Sequence, residues 1–126
     1  MLSDKVAAGF PSPADDYIDS HLSLDELLIH HRAATFFVRA KGNSMVGAGI
    51  FNNDLLIVDK SLSPASGDIV ITVVDGELTV KRLILRGDQV ILKPENPQFQ
   101  EIAFKDEQEL LIWGVVTSTV KIFHKG

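Results

Sequence analysis

The chain has 126 residues and no cysteine. Disulfides, thiolate metal sites and cysteine nucleophiles are therefore excluded, and the composition fits the reducing cytoplasm, which is the location we expect. No apolar run approaches the roughly 18 residues of a membrane span. No basic segment followed by an apolar one opens the chain, so we expect neither a membrane partner nor a secretory signal.

Positive charge is also scarce. The 12 Lys and Arg residues face 17 Asp and Glu residues, for a formal net charge of −5. Domains that grip duplex DNA usually present a basic face, so we expect no direct sequence-specific DNA binding. Phosphate-loop and dinucleotide motifs are missing. His30 and His31 are adjacent and face different ways, while His21 and His124 lack a spaced ligand partner. We therefore predict no metal and no cofactor.

What is present is a short N-terminal region followed by a long β pattern. Residues 1–13 contain Pro11 and Pro13, which resist helix and central strand, so we predict an extended, flexible arm there. Short helices are predicted at 14–20 and 25–28, the second with Ser23 as its cap. Strands are predicted at 35–40, 55–58, 69–74, 77–85, 89–93 and 110–123, the last with a candidate interruption at Gly114. Asp75-Gly76 predicts a hairpin. The sequence thus indicates one mostly antiparallel β domain over residues 14–126, with one or two short helices.

Ser44 lies in a glycine-flanked turn, Gly42-Asn43-Ser44-Met45, after an apolar run. The nearby glycines let the backbone turn tightly and come close to a substrate. If Ser44 and Met45 open a short helical turn, their backbone N–H groups can point at a developing oxyanion. The alternative is an N-cap serine after a strand, and the local sequence alone favours that alternative.

Lys81 lies within a strand pattern. Alternation places it on one face with Thr79, Leu83 and Leu85, and places Arg82 on the other. A lysine there either extends its amine to the sheet edge or is desolvated, and burial lowers a lysine pKa. A neutral amine beside a serine hydroxyl is a general base beside a nucleophile. An edge lysine that prevents strand aggregation explains the pattern equally well.

Five segments are distinctive in combination: 9–17 (GFPSPADDY), 42–45 (GNSM), 54–59 (DLLIVD), 67–71 (GDIVI) and 76–83 (GELTVKRL). Together they resemble the UmuD family of mutagenesis proteins, which are related to the self-cleaving C-terminal domain of LexA repressors. The similarity runs from about Val6 to the C-terminus, and the separation of Ser44 from Lys81 also fits the family.

The resemblance implies a LexA-like and signal-peptidase-like β-clip fold that works as a homodimer. Ser44 would be the nucleophile and Lys81 the general base. The chain would cut its own arm between Ala8 and Gly9, and a RecA filament on single-stranded DNA would stimulate the cut. The trimmed dimer would then join a UmuC-type Y-family polymerase in error-prone lesion bypass during the SOS response to DNA damage.

Two features of the N-terminus bear on that expectation. Only eight residues precede the expected cleavage site, fewer than is usual in the family. The residues before the arm are too few for a helix-turn-helix domain, so we do not expect a repressor role.

Two other functions stay open. One is a non-enzymatic polymerase-binding subunit in which the serine–lysine pair is of minor use. The other is a signal-peptidase-like enzyme that acts on other proteins, which would need a membrane anchor or an apolar docking surface.

Overall fold

The computed structural model describes residues 23–104 and 111–124. The chain divides between His30 and His31 into two units. The predicted arm, the helix predicted at 14–20, and the expected cleavage site at Ala8 and Gly9 lie outside the described residues. The domain boundary after residue 13 therefore stays a prediction.

In the first unit, the described helix is α1, Leu24–Leu28. The Ser23 side chain accepts a hydrogen bond from the Glu26 backbone N–H at 3.2 Å, so the predicted helix and its cap are both confirmed. The helix ends at Ile29, whose backbone is extended and whose N–H donates to the Asp25 carbonyl at 2.8 Å. In the part of the chain that the structure describes, no helix is long and apolar enough to cross a bilayer.

The second unit is a seven-stranded sheet with the strand order β1-β2-β7-β3-β4-β5-β6, and all neighbours are antiparallel. The strands are β1 Thr35–Arg39, β2 Leu55–Asp59, β3 Ile69–Val74, β4 Glu77–Arg86, β5 Gln89–Lys93, β6 Ile102–Phe104 and β7 Leu111–Val120. Short 3-10 helices cover Arg32–Ala34 and Val46–Ala48. The predicted mostly antiparallel β fold is confirmed, and each predicted strand begins within one residue of its expected position. Neither β6 nor the two 3-10 helices were predicted as such.

The hairpin between β3 and β4 places one half of the candidate site. Val74 pairs with Glu77, and the two residues between them, Asp75 and Gly76, have φ values of 51° and 79°. Two consecutive positive φ angles define the two-residue turn that Asp-Gly favours, so the predicted hairpin is confirmed. The register that follows sets Lys81 beside β3 in the interior of the sheet.

The expected interruption at Gly114 is wrong, because β7 runs through it without a break. The irregularity is instead a shift in register: Ile71 of β3 pairs with Gly114, while the next residue, Thr72, pairs with Ile112. An extra residue of β7 is therefore accommodated as a bulge. A Cβ at Gly114 would lie 2.5 Å from Val58 Cγ1, so the glycine permits the close approach of β7 to β2.

Two clusters of buried residues form the core. The first contains Ala40, Met45, Ile50, Leu56, Val58 and Ile71, and the second contains Val70, Leu83, Val90, Leu92 and Val115. Neighbouring residues of β3 supply different clusters, as expected for side chains that alternate across a sheet. The loop between β1 and β2 contributes to the first cluster, and β4 contributes to the second. The core thus fixes both segments that carry the candidate site residues.

Candidate active site

The loop between β1 and β2 presents Ser44. The turn that carries Ser44 begins at Gly42, whose φ of +83° is in the left-handed region and whose N–H donates to Asn52 Oδ1 at 2.8 Å. Met45 follows Ser44 directly and is almost fully buried in the first core cluster. The 3-10 helix Val46–Ala48 then turns the chain back toward β2. Ser44 is therefore held between a hydrogen-bonded turn and a buried anchor.

Lys81 lies in the middle of the sheet with 8% of its surface exposed. It pairs in register with Val70, a member of the second core cluster, and shares its face of β4 with the buried Leu83. The sequence allowed either an amine that extends to the sheet edge or a desolvated amine, and the structure has the desolvated amine. Burial lowers the pKa of the Lys81 amine below its ordinary value, because the charged form is less well solvated there.

The amine of Lys81 meets the hydroxyl of Ser44. The Lys81 Nζ to Ser44 Oγ distance is 3.0 Å, and Nζ also lies 3.1 Å from Thr79 Oγ1 and 3.0 Å from the Val80 carbonyl oxygen. Within the described residues no carboxylate pairs with this lysine. A neutral amine has two N–H donors and one lone pair. The three partners match that set if Thr79 and Val80 accept and Ser44 donates.

Thr79 is a part of this site that the sequence did not single out. Its position two residues before Lys81 placed it on the same strand face, and that spacing was the available signal. The Val80 carbonyl left no signal in the sequence, because every residue carries one.

A cleft of about 590 Å³ opens above the serine. Its lining mixes apolar and polar residues and includes Ser44, Met45, Thr79 and Val80, while Lys81 is not part of the lining. The cleft also includes residues of β1, which among the described strands pairs only with β2. An edge strand has free backbone groups with which an extended peptide can pair. The cleft therefore suits a peptide better than a compact polar ligand.

A second loop, 94–97, braces the serine loop. The Gly47 N–H donates to the Glu95 carbonyl at 2.7 Å, and a Cβ at Gly47 would lie 2.6 Å from the same oxygen. The Asn96 side-chain amide donates to the Asn43 carbonyl at 2.8 Å. Arg82, expected on the opposite face from Lys81, donates from Nε to Glu95 Oε1 at 2.5 Å. The sequence did not predict this bracing, because it joins residues far apart in the chain.

The oxyanion candidates named from the sequence were the backbone N–H groups of Ser44 and Met45. Neither group donates a hydrogen bond to the described residues, whereas Gly47, Ala48 and Gly49 all do. Their role stays a prediction.

Among the described residues, the histidines take no part in this site. His31 Nδ1 lies 2.7 Å from Asp59 Oδ2, and the Ser61 backbone N–H and hydroxyl both donate to Asp59 Oδ1. The Ser61 hydroxyl, followed by His31, lowers the pKa of Asp59 to about 2. In the described ranges no group of three or more His, Asp or Glu side chains could hold a metal ion.

A serine hydroxyl in contact with a buried amine, at the floor of a peptide-sized cleft, is chemically suited to acyl transfer by a serine nucleophile. The comparison with known protein families agrees with that chemistry. Residues 1–117 match the family described as Peptidase S24-like. The chain therefore belongs to the S24 family of serine peptidases.

Similarity to individual proteins indicates a narrower group within this family. The chain is 46% identical over 122 residues to Protein ImpA of Escherichia coli, covering 95% of this chain and 81% of ImpA. It is 41% identical over 117 residues to Protein MucA of Escherichia coli, covering 92% of this chain and 80% of MucA. It is 39% identical over 112 residues to LexA repressor 1 of Geobacter sulfurreducens, covering 88% of this chain and 55% of the repressor. The resemblance to the UmuD family is confirmed.

Proposed function

We propose that this protein is a self-cleaving serine–lysine peptidase in which Ser44 is the nucleophile and Lys81 the general base. The observation that carries the proposal is the 3.0 Å contact between Lys81 Nζ and Ser44 Oγ. The low exposure of Lys81 adds to it, because a buried amine gives up its proton more readily than an exposed one.

The first half of the reaction forms an acyl-enzyme. Neutral Lys81 takes the hydroxyl proton as Ser44 Oγ bonds to the carbonyl carbon of the scissile peptide. The resulting oxyanion is stabilised by backbone N–H donors, for which Ser44 and Met45 are the candidates. Lys81 then passes its proton to the leaving amide nitrogen, the carbon–nitrogen bond breaks, and an ester on Ser44 remains.

The second half restores the enzyme. A water molecule loses a proton to Lys81 and attacks the ester carbonyl. The ester bond breaks, and the proton returns from Lys81 to Ser44 Oγ. Thr79 Oγ1 and the Val80 carbonyl accept hydrogen bonds from the two other N–H groups of the amine, so in neutral Lys81 the lone pair is directed at the serine.

The proposed substrate is the chain's own arm, cut between Ala8 and Gly9. Both residues have small side chains, which suits close approach of the scissile carbonyl to Ser44. The arm is part of the same molecule, so its effective concentration at the cleft is high. Cleavage is slow when Lys81 is protonated or the cleft is empty, and a RecA filament would act by favouring the competent state.

The proposed biological role is in mutagenesis after DNA damage. The processed chain would form a homodimer and serve as the accessory subunit of a UmuC-type translesion polymerase. Membership of the UmuD family supports this role. The non-enzymatic alternative, in which the subunit acts without help from the serine–lysine pair, makes the opposite prediction for self-cleavage.

The test is self-cleavage of the purified full chain at alkaline pH, followed by intact-mass spectrometry. We expect slow loss of residues 1–8 from the wild type and no loss from Ser44→Ala. Ser63→Ala is the matched control, because Ser63 is exposed and is not among the residues that line the cleft. It should be processed at the wild-type rate.

Two results would contradict the proposal: processing at Ala8-Gly9 that persists in Ser44→Ala, or a wild-type chain that stays intact at alkaline pH with and without a RecA filament.

A further inference from the structure

Asn96 makes two side-chain hydrogen bonds with different functions. Its Oδ1 accepts from the Gln98 backbone N–H at 3.0 Å, which closes a local turn. Its Nδ2 donates to the Asn43 carbonyl oxygen at 2.8 Å, across 53 positions of sequence. The first bond shapes its own loop, whereas the second reaches the loop that carries Ser44.

The second bond falls on a particular peptide group. The Asn43 carbonyl and the Ser44 N–H belong to the same planar amide, and this chain has no cis peptide bonds among the described residues. In a trans amide the C=O and N–H point in opposite directions. Holding the Asn43 oxygen therefore fixes the direction of the Ser44 N–H. It also makes that N–H a stronger donor, because hydrogen bonds through one amide polarise each other.

The two sides of this amide face different surfaces. Asn96 lines a groove of about 380 Å³ together with Gly47 and the 93–97 segment. Ser44 lines the cleft of about 590 Å³, and no residue lines both. The carbonyl is bonded to Asn96, a residue that lines the groove, so the N–H points away from Asn96. The Ser44 N–H is also without an acceptor among the described residues, so it is available to a ligand.

We propose that Asn96 is a positioning residue, which holds the Ser44 amide so that its N–H faces the oxyanion formed during cleavage. The inference rests on the proposed peptidase function and extends it to a residue outside the cleft. Asn96 touches neither the substrate nor Lys81, and it acts only through the backbone between Asn43 and Ser44.

The expected effect is smaller than removal of an oxyanion donor, which costs about 10²–10³ in rate. The Ser44 N–H remains in an Asn96 variant but is no longer held in one direction, so we expect a fall of about tenfold. Lys81 keeps all its partners, so the pH midpoint of the rate should not move in a neutral variant.

The experiment measures self-cleavage of the full chain across an alkaline pH series for three variants. Asn96→Asp keeps the acceptor for Gln98 and loses the donor to Asn43. Asn96→Ala loses both bonds without adding charge. Ser66→Ala is the control: it loses the bond from the Leu85 N–H to Ser66 Oγ at 2.9 Å, which is a single side-chain bond to backbone elsewhere in the sheet. The folded fraction of each is measured by thermal unfolding.

The inference predicts a lower plateau rate in both Asn96 variants and an unchanged midpoint in Asn96→Ala, with Ser66→Ala like the wild type. If Asn96→Ala does not fold, the plateau rate of self-cleavage by Asn96→Asp alone tests the inference. Plateau rates within twofold of the wild type, or a loss that matches the unfolded fraction, would overturn it.

Failure of this inference is distinct from failure of the proposed function. If the wild type cleaves in a Ser44-dependent manner and the Asn96 variants cleave equally well, only the role of Asn96 is refuted. If the wild type does not cleave, the peptidase proposal itself fails.

Discussion

Two buried ionisable side chains in the same sheet have opposite kinds of surroundings. Asp59, at the end of β2, is 4% exposed and receives donors from Ser61 and contact from His31. Lys81, in β4, is 8% exposed, and its hydrogen-bond partners among the described residues are a carbonyl and two hydroxyls. The pKa of the Asp59 carboxyl falls to about 2, which favours its charged form. Burial lowers the pKa of the Lys81 amine, which favours its neutral form.

Under the proposed function, the difference separates a structural charge from a reactive one. A buried group that is given partners of opposite polarity is fixed in one protonation state over the physiological range. A buried group that is given only neutral partners can exchange its proton, as a general base requires. The neighbours of a buried titratable group, more than its depth, therefore indicate its role.

The largest expected effect comes from removing the reactive amine. Lys81→Met should lower self-cleavage by about 10²–10⁴-fold, the usual contribution of a general base. Lys93→Met, an exposed lysine on the neighbouring strand β5, should cleave normally. Mass spectrometry of both variants checks this. Cleavage by Lys81→Met at the wild-type rate would show that Lys81, like Asp59, has no part in the reaction.

The same variant has a predicted effect on stability. The folded-state pKa of Lys81 lies below its ordinary 10.5, so the unfolded chain binds more protons between those two values. Wild-type stability therefore rises with pH across that window. Lys81→Met should lack this rise, which urea unfolding at several alkaline pH values can measure.

The next effect comes from removing the structural charge. Asp59→Asn should cleave like the wild type but unfold several degrees lower at pH 7, because the bonds from Ser61 and His31 lose their ionic acceptor. The depressed pKa contributes stability that is full above the ordinary 3.8 and is lost as the pH falls through about 2. The difference in Tm between the two proteins should therefore shrink below about pH 4.

Asp88→Asn, at an exposed site in the turn before β5, is the matched control and should melt like the wild type. A Tm difference for Asp59→Asn that stays constant down to pH 2 would contradict the assignment.

The smallest effect concerns the orientation of the amine. Thr79→Val keeps the shape of the side chain and removes the acceptor 3.1 Å from Lys81 Nζ. One neutral hydrogen bond is worth about 1 kcal/mol, so cleavage should slow by about fivefold. The rate at a pH where the amine is neutral is the measurement. An unchanged rate would show that the Val80 carbonyl suffices to direct the lone pair.

The strands and the face of β4 that carries Lys81 could be predicted from the sequence because they depend on local patterns, whereas the burial of the Lys81 amine could not. Alternation in β4 placed Lys81 with Leu83, and Asp-Gly set the hairpin register. The short β6 was not predicted, since three residues give too little alternation. The bulge at Gly114 was misjudged as a break, because sequence cannot show how closely β2 approaches.

The candidate site also has parts that the sequence marked and parts that it did not. Ser44 stood out by its glycines, but its contact with Lys81 was expected only from the family resemblance, since the two are far apart in sequence. No pattern marked Asn96, and only its place on the same strand face as Lys81 marked Thr79. An asparagine between prolines suggests a turn, and a threonine in a strand suggests a sheet, so neither residue type indicated a link to the serine.

The pairing of Thr79, Val80 and Lys81 with β3 has a mechanical consequence. The amine and both of its acceptors belong to three consecutive residues of one strand, held in register against Val70, Ile71 and Thr72. They move as one piece, so a regulator gains little by acting on that strand. We therefore expect any control of the proposed cleavage to act elsewhere than on β4.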